Sequence, residues 1–239
     1  MKKLLSVFLC LSCINGFAQS GIFTQLEMGA GVTNITTGYP FGIGGVNSLI
    51  AVNHTQPIAS YQLGFRLGYE TRKWVFSSGL SLLKTGFYED AAAFDYSWGL
   101  YPTVNYTVTE YYYHLMIPAT VGYKFHLGSR LSLIPEVGFE VAGNIKNVYK
   151  LGAPDVATTL PLFDFNNTRP FSVWETGRLQ LAYKLKSGID IIAGPQFQYM
   201  LAPLYKGWGN EQRNYASTFN IGIVGHKKPK ARRATDLKK

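Results

Sequence analysis

The sequence predicts an all-β fold: an eight-stranded antiparallel up-and-down transmembrane β-barrel with short periplasmic turns and long external loops. Three observations predict it. Apolar and polar residues alternate with a period of two in eight segments, the connections between the segments alternate between short and long, and an apolar leader indicates export. A strand that crosses a bilayer at a tilt needs about 9–11 residues and is apolar on its lipid-facing side alone. All eight segments are long enough and have one apolar face.

The eight predicted strands alternate because successive side chains of a strand point to opposite faces of the sheet. Leu26 and Met28 in the first strand, for example, stand against Gln25 and Glu27. The predicted strands, in chain order, are Gly21–Val32, Ser60–Thr71, Trp74–Phe87, Tyr111–Phe125, Leu131–Ala142, Phe171–Lys186, Ile189–Leu201 and Tyr215–Val224.

The same alternation supports each later strand. Strand two places Leu63 and Leu67 opposite Arg66, and strand three has an apolar face that begins at Trp74. The apolar faces of the remaining strands carry the following residues: Tyr113, Leu115, Ile117 and Val121 in strand four; Leu131, Val137, Phe139 and Val141 in strand five; Leu179, Leu181 and Tyr183 in strand six; Ile189, Ile191 and Phe197 in strand seven; and Phe219, Ile221 and Ile223 in strand eight. Pro118 and Pro135 remove ladder donors from strands four and five, so we expect β-bulges there.

The connections after the second, fourth and sixth strands have only a few residues, whereas those after the first, third, fifth and seventh are long. Outer-membrane barrels have this asymmetry, with short periplasmic turns and long external loops. An even number of strands also closes the sheet and leaves no edge. The predicted long connections are Thr33–Ala59, Glu89–Thr109, Ile145–Pro170 and Ala202–Arg213.

The start of the chain predicts a signal peptide over residues 1–18, followed by the barrel over residues 19–226. Two lysines precede the apolar run Leu4–Ile14, which is too short for a membrane helix, and small residues mark a cleavage site before Gln19. Lipoprotein processing or a buried helix are the alternatives. Both cysteines of the chain lie in this leader, so we expect neither disulfides nor thiolate ligands in the exported protein.

The net charge of +9 is concentrated at the two ends of the chain. Residues 1–18 carry two of the net positive charges and residues 227–239 carry six, so the segment between them is nearly neutral. That distribution argues against a nucleic-acid-binding face on the folded domain. The basic segment 227–239 is predicted to be a disordered periplasmic tail, either solvated or lying against an anionic surface.

Charged residues on the polar strand faces predict a filled interior. Side chains just fill the inside of an eight-stranded barrel, and an unpaired buried ion costs several kcal/mol. We therefore expect a plug of paired carboxylates and guanidinium groups, with a gated ion path as the alternative. The predicted interior charge cluster is Glu27, Arg66, Glu136, Glu140 and Arg178. A soluble barrel with its apolar face inward remains open, because alternation does not decide which face points in.

The sequence predicts no enzyme, metal site or cofactor. The histidines lack metal-binding spacing, and no thiolate is available to assist them. His114 with Ser172 and Glu175 could form a hydrolase-like set only if the strand register brought them together. Six aromatic residues in predicted external loops are candidates for binding glycans or envelope proteins: Tyr96, Trp98, Tyr101, Tyr106, Tyr205 and Trp208.

Several short motifs resemble the PorT-like family of small outer-membrane barrels, also described as porin-family barrel domains. They are Tyr113–Pro118 with Gly122–Phe125, Phe76–Leu80 with Lys84–Gly86, and Ala193–Phe197. The resemblance spans most of the predicted barrel. It implies an outer-membrane location and about eight strands, and it implies little about activity because fold does not determine function.

Taken together, these features predict a non-enzymatic outer-membrane barrel that is structural or surface-binding and has a plugged interior. A narrow passive porin-like channel is one alternative, and an accessory barrel in outer-membrane protein secretion or assembly is another. The predicted partners are outer-membrane lipid and, through the loops, other envelope proteins or glycans, but not nucleic acid. The sequence does not indicate an oligomeric state.

Overall fold

The computed structural model describes residues 21–36, 48–95, 104–153, 156–158, 169–185, 189–204 and 212–226. The described residues form strands joined by short irregular segments. The strands are β1 (Gly21–Ile35), β2 (Ser48–Gln56), β3 (Ile58–Glu70), β4 (Trp74–Asp95), β5 (Val104–Tyr123), β6 (Phe125–His126), β7 (Leu131–Ala153), β8 (Val156–Thr158), β9 (Phe171–Lys184), β10 (Ile189–Met200) and β11 (Asn214–His226).

Eight of these strands close into an antiparallel barrel. Strands β1, β3, β4, β5, β7, β9, β10 and β11 each pair with their neighbours in that order, and β1 pairs with β11 to complete the ring. The closing ladder runs from Phe23 opposite His226 to Ile35 opposite Asn214. A closed ring leaves no unpaired strand edge. The predicted all-β, eight-stranded up-and-down barrel is confirmed.

The two ends of the barrel differ. At one end, which we call the turn end, short connections join β3 to β4 and β9 to β10. In the first of these, the Thr71 hydroxyl accepts from the Trp74 amide at 2.8 Å and so stabilises the tight turn. At the other end, the extended end, β4, β5 and β7 continue well past their neighbours, with 22, 20 and 23 residues. The described chain begins and ends at the turn end.

The long connections contain more strand than the sequence predicted. Glu89–Thr109 was expected to be a loop, yet β4 continues to Asp95, and Ala93 pairs with Val104 at the start of β5. The predicted loop at Ile145–Pro170 likewise begins with the last part of β7, and Thr33–Ala59 contains β2. The loop prediction was wrong in extent because backbone pairing persists where the alternation of apolar and polar residues has ended.

The predicted bulges at the two prolines were also wrong. Pro118 stays opposite Glu140 and Pro135 stays opposite Leu179, each within an unbroken register. Each proline lacks an N–H donor, but no extra residue is inserted beside it. The shift in register of β5 against β7 falls between Tyr113 and His114 instead.

The apolar strand faces point outward and the polar faces point inward. Leu63 and Leu67 are about half exposed, at 49% and 52%, whereas Arg66 between them is fully buried. The same pattern repeats around the ring and forms an apolar belt, with Trp74 and Tyr123 in edge-to-face contact at the turn end. The structure therefore rules out the alternative barrel with an inward apolar face. No helix among the described residues has the length and apolar character needed to cross a membrane.

Candidate functional site

The five charged residues of the predicted interior cluster come together in the middle of the barrel. Each lies at an inward position of its strand, and all are at most 5% exposed. Alternation alone explains why they point inward. Their meeting depends on the register, because Glu27 and Arg178 are separated by 151 positions in the chain.

The five side chains form one line of alternating charges. Arg178 donates to Glu27 at 2.8 Å through Nη1 and to Glu136 at 2.6 Å through Nη2. Arg66 donates through Nε to Glu27 at 2.8 Å, and its Nη2 lies 3.9 Å from Glu140. Charged hydrogen bonds of this kind are about twice as strong as neutral ones. Glu27 therefore bridges the two guanidinium groups at the centre of the cluster.

Neutral amides and hydroxyls supply the remaining donors to the carboxylates. Gln25 donates to Glu27 at 2.6 Å, and Gln198 donates to Glu140 at 2.8 Å. Thr120 donates to Glu136 at 3.2 Å. These contacts matter because a buried carboxylate with unfilled acceptor positions is costly.

Small residues create the room that the cluster occupies. A Cβ at Gly64 would lie 3.0 Å from Oε1 of Glu27, and a Cβ at Gly122 would lie 2.5 Å from Cγ of Glu136. These glycines and the inward glutamines are additional to the site residues predicted from the sequence. The signal was present, since Gln25, Gln196 and Gln198 all occupy polar positions of alternating strands.

Two apolar layers enclose the charged layer. The layer toward the extended end is Ile35, Leu83, Phe87, Tyr112, Met116, Ala142, Trp174, Met200, Leu204 and Ala216, and the layer toward the turn end is Phe23, Val75, Ile134, Ala182, Ile192 and Val224. A cavity of about 20 Å³ lies within the layer at the turn end, and its lining reaches from Glu136 on the inner side to Lys124 and His226 on the outer side. That volume is enough for roughly one water molecule.

The described residues include one further ion pair and one histidine–carboxylate contact at the turn end. Lys124 donates to Glu70 at 2.7 Å, and Nε2 of His226 lies 2.9 Å from Asp190. These pairs lie beyond the apolar layer at the turn end. No group of three or more His, Cys, Asp or Glu side chains in the described ranges is arranged to hold a metal ion.

The possible hydrolase-like set does not assemble. His114 is buried and its Nε2 lies 3.0 Å from the Thr85 hydroxyl, while the Ser172 hydroxyl accepts from the Trp174 indole at 2.9 Å. Glu175, however, is exposed on the outer surface of β9, opposite Phe139. An acid on the outside of the ring cannot orient a base on the inside.

Most of the predicted external-loop aromatics lie outside the described residues, namely Tyr96, Trp98, Tyr101, Tyr205 and Trp208. Tyr106 is not in a loop, because it belongs to β5 and pairs with Ala91. The predicted signal peptide, residues 1–18, and the predicted tail, residues 227–239, also lie outside the described part of the chain.

Comparison with known proteins shows similarity of chain arrangement at low sequence identity. No family model matches the chain, and no curated protein matches it, so the PorT-like label is still only a resemblance. The chain is similar to Neisserial surface protein A, with 12% identity, a TM-score of 0.42, and coverage of 86% of this chain and 97% of that one. It is also similar to the attachment invasion locus protein Ail of Yersinia pestis, with 10% identity, a TM-score of 0.37, and coverage of 85% and 99%.

A third solved structure, the outer membrane protease OmpT from Escherichia coli, has 9% identity and a TM-score of 0.42, and the match covers 88% of this chain and 98% of that one. The strand pairings of the present chain define its class by themselves. It is a closed, eight-stranded antiparallel β-barrel with an apolar exterior and an interior filled by a charged layer between two apolar layers.

Proposed function

We propose that this protein is an integral outer-membrane β-barrel, without enzymatic activity, that acts as a structural or surface-binding element. The observation that carries the proposal is the combination of an apolar outer belt with a packed interior. Such a barrel is stable in the hydrocarbon core of a bilayer, because the closed ring pairs its backbone groups internally and its outer belt exposes mainly apolar side chains.

The packed interior favours a non-conducting barrel over the passive channel. A hydrated ion would have to displace the apolar layer around Trp174, the ion pairs of Arg178 and then the layer around Phe23. Each displacement would expose apolar surface or separate buried charges, and both processes are costly. Water-filled passages are a property of barrels with many more strands.

Three features support a non-enzymatic role. His114, Ser172 and Glu175 do not form a relay, Arg178 binds two of the interior carboxylates, and the cavity that Glu136 lines has room for about one water molecule. Surface binding would then depend on the extended end, where β4, β5 and β7 continue past the apolar belt.

The proposal is tested by gel migration and by conductance. The membrane-fractionated protein should migrate faster unheated than boiled, because a closed barrel resists detergent until it is heated. The same preparation in planar bilayers should give no steady current. An unshifted band from soluble protein would contradict membrane insertion, and a reproducible single-channel current would favour the passive channel.

A further inference from the structure

Three lysines and three tyrosines form an outward-facing patch at the boundary between the apolar belt and the extended end. We call it the lysine–tyrosine patch, and its members are Tyr61, Lys84, Tyr111, Tyr113, Lys146 and Lys150. Tyr61, Lys84, Tyr113 and Lys146 are successive partners across four neighbouring strands, β3, β4, β5 and β7, so they form a continuous row. Tyr111 and Lys150 lie next to this row, toward the extended end.

Four of these side chains contact one another. Nζ of Lys84 lies 4.3 Å from the ring centroid of Tyr111 and 5.4 Å from that of Tyr61. Nζ of Lys150 lies 5.5 Å from the same Tyr111 ring. Two ammonium groups therefore share the face of one aromatic ring, which holds them in place without neutralising their charge.

No carboxylate balances this charge within the described part of the chain. The ion pairs found there involve other cations and leave out Lys84, Lys146 and Lys150. Asp90, which lies further along β4, accepts from the Tyr88 hydroxyl at 2.9 Å and from the Gln56 amide at 3.3 Å. The patch consequently presents three positive charges, one on β4 and two on β7, on either side of β5.

The position of the patch points to its ligand. The next outward row toward the turn end is Leu63, Leu82 and Leu115, all of them exposed members of the apolar belt. Lysine side chains at such a boundary extend their ammonium groups to the level of the lipid headgroups, and tyrosines favour the same level. Phosphate is the anionic headgroup component that lysine commonly binds as a point charge.

We propose that the lysine–tyrosine patch binds the phosphate groups of an anionic lipid in the leaflet at the extended end. The inference rests on the proposed membrane insertion. The three ammonium groups bind the phosphate oxygens, the tyrosine hydroxyls are further donors, and the adjoining leucines contact the acyl chains. The lysines and the leucines would thus bind the headgroup and the acyl chains of the same lipid molecule.

The test uses the full chain in detergent and measures lipid binding by native mass spectrometry. Three probes are titrated separately: diphosphorylated lipid A, the same lipid after removal of both phosphates, and inorganic phosphate. The diphosphorylated lipid should bind most tightly. Equal binding of the dephosphorylated lipid would overturn the proposal, and so would equally tight binding of inorganic phosphate, because the ligand would then not be a lipid.

Variants locate the binding on the barrel. K84Q/K146Q/K150Q should weaken binding of the diphosphorylated lipid by about fivefold per lysine, on the order of a hundredfold in all. The matched control, R72Q/K73Q/R130Q, removes three positive charges at the turn end and should bind like the unmodified protein. Equal affinities of the two triple variants would contradict the assignment to this patch.

The exposed pair K146Q/K150Q provides a milder variant in case the triple variant does not fold, and it should still weaken binding about 25-fold. Gel migration of every sample separates the two proposals. A heat-modifiable barrel without phosphate-dependent lipid binding would contradict this inference alone, whereas a barrel that is not heat-modifiable would contradict the proposed function.

Discussion

Arg178 is the residue on which the charged layer most depends. It makes hydrogen bonds to both oxygens of Glu27 and to Glu136, at 3.1, 2.8 and 2.6 Å. Arg66 makes a single hydrogen bond, through Nε, and its two terminal nitrogens have no hydrogen-bond partner. The two arginines therefore differ in the number of hydrogen bonds they make, although both occupy the same kind of polar position in the sequence pattern.

We expect Arg178→Met to lower the free energy of unfolding by about 3–5 kcal/mol, because it leaves buried carboxylates without their partner. The cost should be visible as a lower denaturant midpoint for the protein folded in lipid vesicles. The midpoint of Arg178→Lys should fall between those of the unmodified protein and Arg178→Met, since lysine keeps the charge but loses the rigid planar group that reaches Glu27 and Glu136 at once.

Arg66→Met is the matched comparison and should cost less than Arg178→Met. A larger effect at Arg66, or an unchanged midpoint for both variants, would show that the charged layer does not stabilise the barrel in the way the contacts indicate.

Among the elements, the paired extensions of β4 and β5 carry a titratable feature beyond the apolar belt. Phe87 pairs with Glu110 and Glu89 pairs with Val108, so the two carboxylates are diagonal neighbours. Partial burial, followed by the charge of Glu110, raises the pKa of Glu89 to about 7. Tyr112 donates a hydrogen bond to Glu110, which keeps that acceptor on the same side.

Because the pKa of Glu89 is raised, the stability of the paired β4 and β5 extensions should depend on pH. A carboxyl that binds its proton more tightly when folded stabilises the fold at low pH, and this contribution is lost as the pH rises from about 4.5 to about 7. Hydrogen exchange of the paired β4 and β5 amides, corrected for intrinsic rates, should therefore be less protected at pH 8 than at pH 5.

Glu89→Gln should abolish most of that difference, and Glu175→Gln, on the outer surface of β9, should leave it unchanged. If protection of the extensions responded to pH equally in the Glu89→Gln variant, another group would have to be responsible.

For the whole molecule, closure of the ring rests on the pairing of β1 with β11. Leu26 lies directly opposite Ile223 on the outer surface. Antiparallel partners have Cα atoms about 4.5–5.5 Å apart, which lies within the range that a disulfide spans. The cysteines of the native sequence are confined to residues 10 and 13.

The L26C/I223C variant, with Cys10 and Cys13 absent after export or replaced, should therefore form an intramolecular disulfide under mild oxidation. After boiling in detergent, the oxidised protein should migrate faster than the reduced protein, because a long loop stays closed. L26C/F139C joins strands that are not neighbours and serves as the negative control. Failure of the first pair to cross-link would contradict the closing ladder.

Much of this architecture could be predicted from local pattern. Alternation correctly assigned Glu27, Arg66 and Arg178 to one kind of face and Leu63 and Leu67 to the other, and it gave the right number of barrel strands. Alternation failed to predict the strand extensions of β4 and β5, where backbone pairing continues without it. The bulges expected from the missing N–H donors of the prolines are also absent.

What the sequence by itself determined is which residues share a face and how many strands there are, because both follow from a period of two and from the spacing of turns. Which face points inward was decided only by the tertiary structure, since a period of two is symmetric between faces. The tertiary structure also decided that Glu27 meets both Arg66 and Arg178 and that Lys84 and Lys150 approach the same outer ring, that of Tyr111. Such meetings depend on ring closure and register, which bring together residues distant in the chain.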